Sequence, residues 1–316
     1  YTIATLIASF LSGVAGILFA LNGFGVCALI FQQLIANYLG ITALYIFVDW
    51  RVELLFSMES MKSLFGYGWK ILASSLINSL YASMYNLIIG KVYTQELLGL
   101  YSKGQQFPLL ITDNLNETVQ SVTLPILSQV QDNPAGMKGR MKRALTLNAF
   151  IVIPAMFGLS AISYEFIYVV LGEKWLAAVP YMTLLSLVYS MYPIHTMNIQ
   201  CMKASGRSDL FLKLEIIKKI LEVVMVIITV RFGLIVMVIG QIVLSFVGMP
   251  INIWPAKKLL GYGMTEQIKD LFPSVIASLL MYGVVKLVGL IPLAVFVKLI
   301  LEIFVVPGFG ICGILG

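Results

Sequence analysis

Long apolar stretches divided by short polar turns run the length of the chain. A helix needs roughly 20 apolar residues to cross the hydrocarbon core of a bilayer. On that measure about ten candidate spans stand near 2–21, 24–48, 64–90, 95–129, 143–171, 178–203, 208–230, 233–254, 270–289 and 292–310. The fourth and fifth are long enough to tilt or protrude. Every run is too long and too uniformly apolar for a barrel strand. The pattern predicts an all-α polytopic membrane protein.

The polar turns alternate in charge. One set, after the second, fourth, sixth and eighth spans, carries Arg51, Lys62, Lys138, Arg140, Lys142, Arg143, Lys203, Arg207, Lys257, Lys258 and Lys269. The other set is sparse, with Lys91, Lys103, Lys174 and Arg231, and Lys286 near a span end. The positive-inside rule assigns the first set to the cytoplasm. Trp50 and Trp254 on that side, and Trp175 and Tyr181 on the other, stand where an aromatic belt belongs.

Composition agrees with this assignment. Of 316 residues, 59% are hydrophobic and 11% charged, against about a quarter charged in soluble domains. Mean hydropathy is +0.94. The net charge of +6 is what cytoplasmic loops collect, and no nucleic-acid partner is expected. Cys27, Cys201 and Cys312 are odd in number, scattered and set in apolar surroundings, so neither a disulfide framework nor a zinc site is expected. The chain opens at Tyr1 inside a hydrophobic run, without a charged n-region. That is not a signal peptide; it reads as a protein missing its beginning.

No turn is long enough for a soluble catalytic domain. The chain has no Gly-rich nucleotide loop, no HExxH, no Cys/His metal spacing and no Ser/His/Asp arrangement. The expectation is a protein that is not an enzyme, with no cofactor and no metal.

Ionisable groups within spans are costly and usually face a bundle interior or a wet cavity. In the third span, helical phase puts Tyr67, Lys70, Ser74, Asn78, Tyr81 and Tyr85 on one face. In the fourth, Gln106, Asp113, Glu117 and Gln120 lie within about 60° of one another. Hydrogen bonding between helices accounts for the neutral members of both stripes, and Lys70 is close enough to its span end to snorkel. Asp113 and Glu117 are spaced i,i+4, so ionised carboxylates there repel. A carboxyl that can change state is what ion coupling needs.

Ser208 is the expected N-cap of the seventh span, with Asp209 in its first turn. Glu215 with Lys219, and Lys218 with Glu222, are spaced to pair at i,i+4. Those charges read either as pairs on a protruding helix or as a basic wall at the cytoplasmic mouth of a cavity. His195, the chain's one histidine, follows Pro193 in "YPIHTMNIQ". Pro193 is expected to break the ladder of the sixth span and bend it. Tyr181, Tyr192, His195 and Asn198 fall on one broad face. His195 reads as a satisfied core residue or, given the kink, as a neutral hydrogen-bond partner in a cavity.

Three stretches, "SGVAGILFALNGFGVCALIFQQ", "LGLYSKGQQFPLLITDNLNETVQSVTLPILSQVQDN" and "LGEKWLAAVPYMTLLSLVYSMYPIHTMNIQCMKASGRSDLFLKLEIIKK", resemble the Wzx-type polysaccharide flippases of the multidrug/oligosaccharidyl-lipid/polysaccharide superfamily. The resemblance fades after about residue 290. It implies two six-helix lobes and a terminal helix pair, fourteen helices in all, of which these ten would be helices 5–14. Residues 1–50 would then be the last two helices of an N-terminal lobe, 51–63 a cytoplasmic linker, 64–256 the C-terminal lobe, and 257–316 a cytoplasmic loop and the terminal pair.

The resemblance further implies a multi-pass protein of the bacterial cytoplasmic membrane that turns undecaprenyl-pyrophosphate-linked oligosaccharides across it by alternating access. Coupling to H+ or Na+ and contact with other polysaccharide-assembly membrane proteins would go with that role. Lys70, Lys218, Lys219 and His195 would meet the pyrophosphate. Asn78, Tyr81, Tyr85, Gln106, Tyr192 and Asn198 suit sugars, and Asp113 and Glu117 suit the coupling ion. Two rivals are a drug or cation antiporter of the same superfamily, which the acidic pair favours, and a membrane-embedded polysaccharide polymerase or ligase. The latter would be expected to carry a large extracytoplasmic loop.

Overall fold

In the computed structural model the apolar runs are helices wherever their residues are described, broken mostly at glycine and proline. The structure describes residues 2–25, 27–47, 57, 58, 61, 65, 76, 84–131, 133–289 and 295–301. The chain divides into two compact units, Tyr1–Ser74 and Ser75–Gly316. Lys70, Asn78 and Tyr81, and the linker expected at 51–63 apart from 57, 58 and 61, lie outside the described residues.

In the first unit α1 (Thr2–Leu21) and α2 (Cys27–Phe47) form an antiparallel hairpin. Gly23 and Gly25, at φ 83° and 53°, turn the chain where a side chain would strain it. Phe19, Phe24 and Phe31 close the turn, with ring centroids 5.3–6.1 Å apart.

The second unit contains α3 (84–92), α4 (Gln95–Ser128), α5 (Pro134–Ala161), α6 (Ser163–Val170), a 3-10 turn (Glu173–Ala178), α7 (Val179–Tyr189), α8 (Tyr192–Ala204), α9 (Ser208–Thr229), α10 (Leu234–Leu260) and α11 (Met264–Val288). Among the described residues, four stretches are long and apolar enough to cross a membrane: Pro134–Ala161, Glu173–Ala204, Leu234–Leu260 and Met264–Val288. The chain is a multi-pass membrane protein. α4 and α9 have the length, but polar side chains interrupt their apolar surface.

The sixth span divides at Ser190 and Met191, where α7 stops and α8 starts. Pro193 falls in the first turn of α8, where its missing N–H costs no helical bond. α9 begins at Ser208 itself, with Arg207 at the cap position expected for Ser208.

Contacts gather the lysine-rich turns at one end of this unit. Lys138 near the start of α5 pairs with Glu266 at 2.7 Å and donates to the Gly261 carbonyl at 3.2 Å. Ser205, after α8, lies 3.7 Å from the Met137 sulfur. The α10–α11 turn ends in a left-handed Gly261, with the Gly261 and Tyr262 N–H groups bonded to Lys257 O and Ala256 O. That turn drives Tyr262 inward, where its hydroxyl donates to Asp270 at 2.7 Å while Lys142 holds the other Asp270 oxygen at 2.8 Å. Burial, and the Asp270 carboxylate beside it, hold the Tyr262 phenol well above its ordinary range. The sparse turns meet at the opposite end: Tyr93 donates to Val230 O, Lys103 lies over the Trp175 ring at 5.8 Å, and Lys286 donates to Ala161 O at 2.7 Å. The charge alternation read along the chain is a separation between two ends in space.

That separation fixes an orientation test. With the native cysteines replaced, Arg140→Cys and Lys174→Cys, both at exposed positions, should differ toward an impermeant maleimide on intact cells. Position 174 should label and position 140 should label only after lysis. The reverse pattern would overturn the topology.

Candidate functional site

The site is organised by α4. Thr94 caps it, accepting from the Leu97 N–H at 3.2 Å, and Glu96 in its first turn suits the positive helix end. Its 34 residues rise about 50 Å, more than a bilayer core. At Gly104 the helix crosses α7 so closely that a Cβ there would lie 2.6 Å from Tyr181 Cβ and 2.8 Å from the Met182 nitrogen.

α4 is polar on two faces. On the inner face, Gln105 donates to the Tyr189 hydroxyl at 2.9 Å, and Gln120 accepts from Gln200 of α8 at 2.7 Å. The Tyr101 hydroxyl accepts from Gln241 of α10 at 3.1 Å. Buried Asn116, and buried Asn148 on α5, find no protein partner for either amide atom. A buried polar group left so costs on the order of 1–3 kcal/mol. The outer face carries Gln106, Asp113, Asn114, Glu117, Thr118 and Ser121, all exposed apart from local bonds back to their own helix or neighbour.

Exposed surfaces elsewhere in the unit are apolar: Ile216, Ile220, Val224 and Ile227 on α9, Val243, Phe246 and Val247 on α10, and Ile276, Leu280 and Leu287 on α11. Those faces suit lipid. A carboxylate facing hydrocarbon at mid-helix costs a few kcal/mol, so the exposed acidic face of α4 is unsuited to lipid.

Next to that face the structure gathers Tyr85 of α3, Tyr192 of α8 and Glu222 of α9. Tyr85 interacts electrostatically with Glu222, and Tyr192 with both Asp113 and Glu222. Tyr192 packs on Tyr189 at 5.2 Å between ring centroids. On α9 the ion pairs are Glu215 with Lys218, and Lys219 with Glu222 at 2.9 Å. Both are i,i+3, so the partners are exchanged relative to the i,i+4 expectation. All four side chains are half-buried, and the sequence spacing alone allowed either choice.

His195 stands between α8 and α10. Its Nε2 lies 3.1 Å from Ser245 Oγ, and Asn252 Nδ2 lies 2.8 Å from its Nδ1. With the amide nitrogen as donor, Nδ1 accepts and Nε2 carries the proton given to Ser245. Gly248, between these partners, lets the helices close: a Cβ there would sit 3.6 Å from His195 Cε1. Lys218 acts electrostatically on the ring from α9.

Asn198 goes elsewhere. It exchanges two hydrogen bonds with Gln267 of α11, at 2.8 and 3.1 Å, and is buried. Gln106 accepts from Lys103 at 3.0 Å. Of the expected residues, the structure therefore brings together Tyr85, Asp113, Tyr192, His195 and Lys218, with Glu117 one turn from Asp113 and Lys219 held by Glu222. It separates Asn198 from them. Sequence reasoning missed Glu222 and Tyr189 as members of the site. It also missed the α10 row Gln241, Ser245, Gly248 and Asn252, although the spacing of 4, 3 and 4 residues marks one helical face.

Comparison with known proteins places this arrangement. A family model described as "Polysaccharide biosynthesis protein" matches residues 1–180. The teichuronic acid biosynthesis protein TuaB of Bacillus subtilis strain 168 is 30% identical over 161 residues, 51% of this chain and 33% of that protein. The lipopolysaccharide biosynthesis protein WzxC of Escherichia coli K12 is 25% identical over 172 residues, 54% of this chain and 35% of that one. The chain spans about a third of the length of these two relatives. Among solved structures, the lipid II flippase MurJ in an inward closed conformation superposes with a TM-score of 0.74 at 15% identity, over 98% of this chain and 66% of that chain. That likeness shows the fold.

Two measurements test the packing. Gly104→Ala should cost about 1–3 kcal/mol, because the new Cβ meets a Cβ and a backbone nitrogen that cannot move aside alone. Gly139→Ala, on α5 with open space around it, should be neutral or stabilise by up to about 1 kcal/mol. His195→Leu should destabilise by about 1–3 kcal/mol by unpairing Asn252, and His195→Leu with Asn252→Leu should recover part of that loss. Melting of the purified full-length protein checks each. Equal melting of the two alanine variants, or additive loss in the double variant, would refute the contacts.

Proposed function

The chain belongs to the polysaccharide biosynthesis protein family, and on that footing we propose that it is part of a Wzx-type flippase. In this reading it carries lipid-linked oligosaccharide repeat units across the bacterial cytoplasmic membrane by alternating access, without chemical conversion. The observation that carries the proposal is the exposed acidic face of α4, flanked by Tyr85, Tyr192 and the paired charges of α9.

Each part has a chemical use. Asn, Gln and Tyr side chains offer donors and acceptors to sugar hydroxyls, and tyrosine rings cover the apolar faces of sugars. Lys218 and Lys219 are neutralised by Glu215 and Glu222, so a pyrophosphate would reach them by displacing carboxylates. A charged head bound by exchange of partners can also be released, which transport requires. Asp113 and Glu117, exposed and one turn apart, are the carboxylates we assign to coupling with H+ or Na+. Lobe movement about a midplane site is the general mechanism of such transporters. The same two acids favour a cation or drug antiporter as the second reading.

The full-length protein, expressed in a strain lacking its own copy, tests this. Asp113→Ala and Glu117→Ala should lower polymer export while abundance stays near wild type, and Ile220→Leu on the lipid-facing side of α9 should change neither. Loss of drug resistance with unchanged polymer would establish the antiporter. Normal export by both acidic variants, or failure of both to accumulate, would overturn the assignment.

A further inference from the structure

α10 shows where the bilayer ends. Its exposed side chains run through Phe246, Val247 and Pro250 to Trp254, and then change to Lys257 and Lys258. A tryptophan followed within one turn by lysines marks the boundary between hydrocarbon and headgroups. At that level an open groove of about 540 Å³ lies between the last turns of α10 and the start of α11. Pro250, Ile253 and Trp254 form its apolar wall, and Lys257 and Glu266 stand at its polar rim.

The charges at this rim are not balanced. Glu266 is committed to Lys138 at 2.7 Å. Lys257 lays its stem across Gly263, where a Cβ would come within 3.5 Å of Lys257 Cγ, and among the described residues no carboxylate pairs with it. Lys258 has none either; its ammonium lies over the Trp254 ring, 5.5 Å from the centroid. The groove thus joins an apolar wall at acyl-chain depth to uncompensated cations at headgroup depth.

We propose that this groove seats an anionic phospholipid, its phosphate against Lys257 and the upper part of an acyl chain along Pro250 and Trp254. A basic recess on the cytoplasmic side of membrane helices suits such headgroups, and a zwitterionic headgroup would bring its own cation toward Lys258. A lipid held here braces the α10–α11 turn, which Lys138, Lys142 and Tyr262 already tie to α5.

The test uses the full-length protein with every tryptophan except Trp254 changed to Phe, reconstituted in phosphatidylcholine vesicles. A minor fraction of the lipid is brominated on its acyl chains, as either phosphatidylglycerol or phosphatidylcholine. Brominated phosphatidylglycerol should quench Trp254 severalfold more effectively. Lys257→Gln should abolish that preference, while Lys257→Arg, and Lys213→Gln on α9, should keep it. Added inorganic phosphate should leave it unchanged. Native mass spectrometry of the protein with all its tryptophans should retain phosphatidylglycerol over phosphatidylcholine, and should lose that selectivity in Lys257→Gln. Equal quenching by the two lipids would overturn the proposal. So would a preference that survives Lys257→Gln, or displacement by phosphate, which would mark a simple anion site.

Discussion

A charged side chain pays a few kcal/mol to face hydrocarbon, and α4 carries two acids at mid-length on a surface that no described residue covers. The acids cannot be accommodated by turning the helix, because the neighbouring face is also polar and is committed: Gln105 and Gln120 are bonded to Tyr189 and Gln200. Nor can α4 shift along its axis, since Gly104 meets the backbone of α7 with no room for a methyl group. The helix is held at one rotation and one depth, with its acidic face left exposed.

The rest of the second unit supports that placement with neutral hydrogen bonds more than with charge. α8 is tied to α10 through His195, Ser245 and Asn252, and to α11 through Asn198 and Gln267. Such bonds between membrane helices are individually modest. Together they fix α8, whose first turn packs Tyr192 against Tyr189 of α7 across the break between the two helices. Ion pairs lie at the lysine-rich end, around Tyr262, and on α9 beside the acidic face, and one joins Lys298 to buried Glu165 at 3.8 Å.

Much of this was legible in the sequence. The ends of the spans and the alternation of charge depend on local composition, and the structure gathers Lys138, Ser205 and Gly261 at one end as that alternation requires. The acidic stripe of α4 was visible because helical phase is a local property. Pairings between helices were not. Asn198 and His195 share a face by phase, yet one turns to α11 and the other to α10. Asn252 shares a face of α10 with Gln241 and Ser245, but its pairing with His195 of α8 is not written in that spacing. On α9 Lys218 and Lys219 each had a carboxylate at both three and four residues' distance, and packing rather than spacing made the choice.

The central claim, that the outer face of α4 borders water within the membrane, can be measured by cysteine accessibility. In full-length protein with every native cysteine replaced, single cysteines at 113 and 117 are compared with single cysteines at 247 on α10 and 280 on α11. Open membranes are exposed to a charged methanethiosulfonate, which reacts with ionised thiols in water and poorly with thiols in lipid. Positions 113 and 117 should react at least tenfold faster than 247 and 280, about 1.4 kcal/mol in activation free energy. Equal, slow reaction at all four positions would place Asp113 and Glu117 against lipid or protein, and the account would fail.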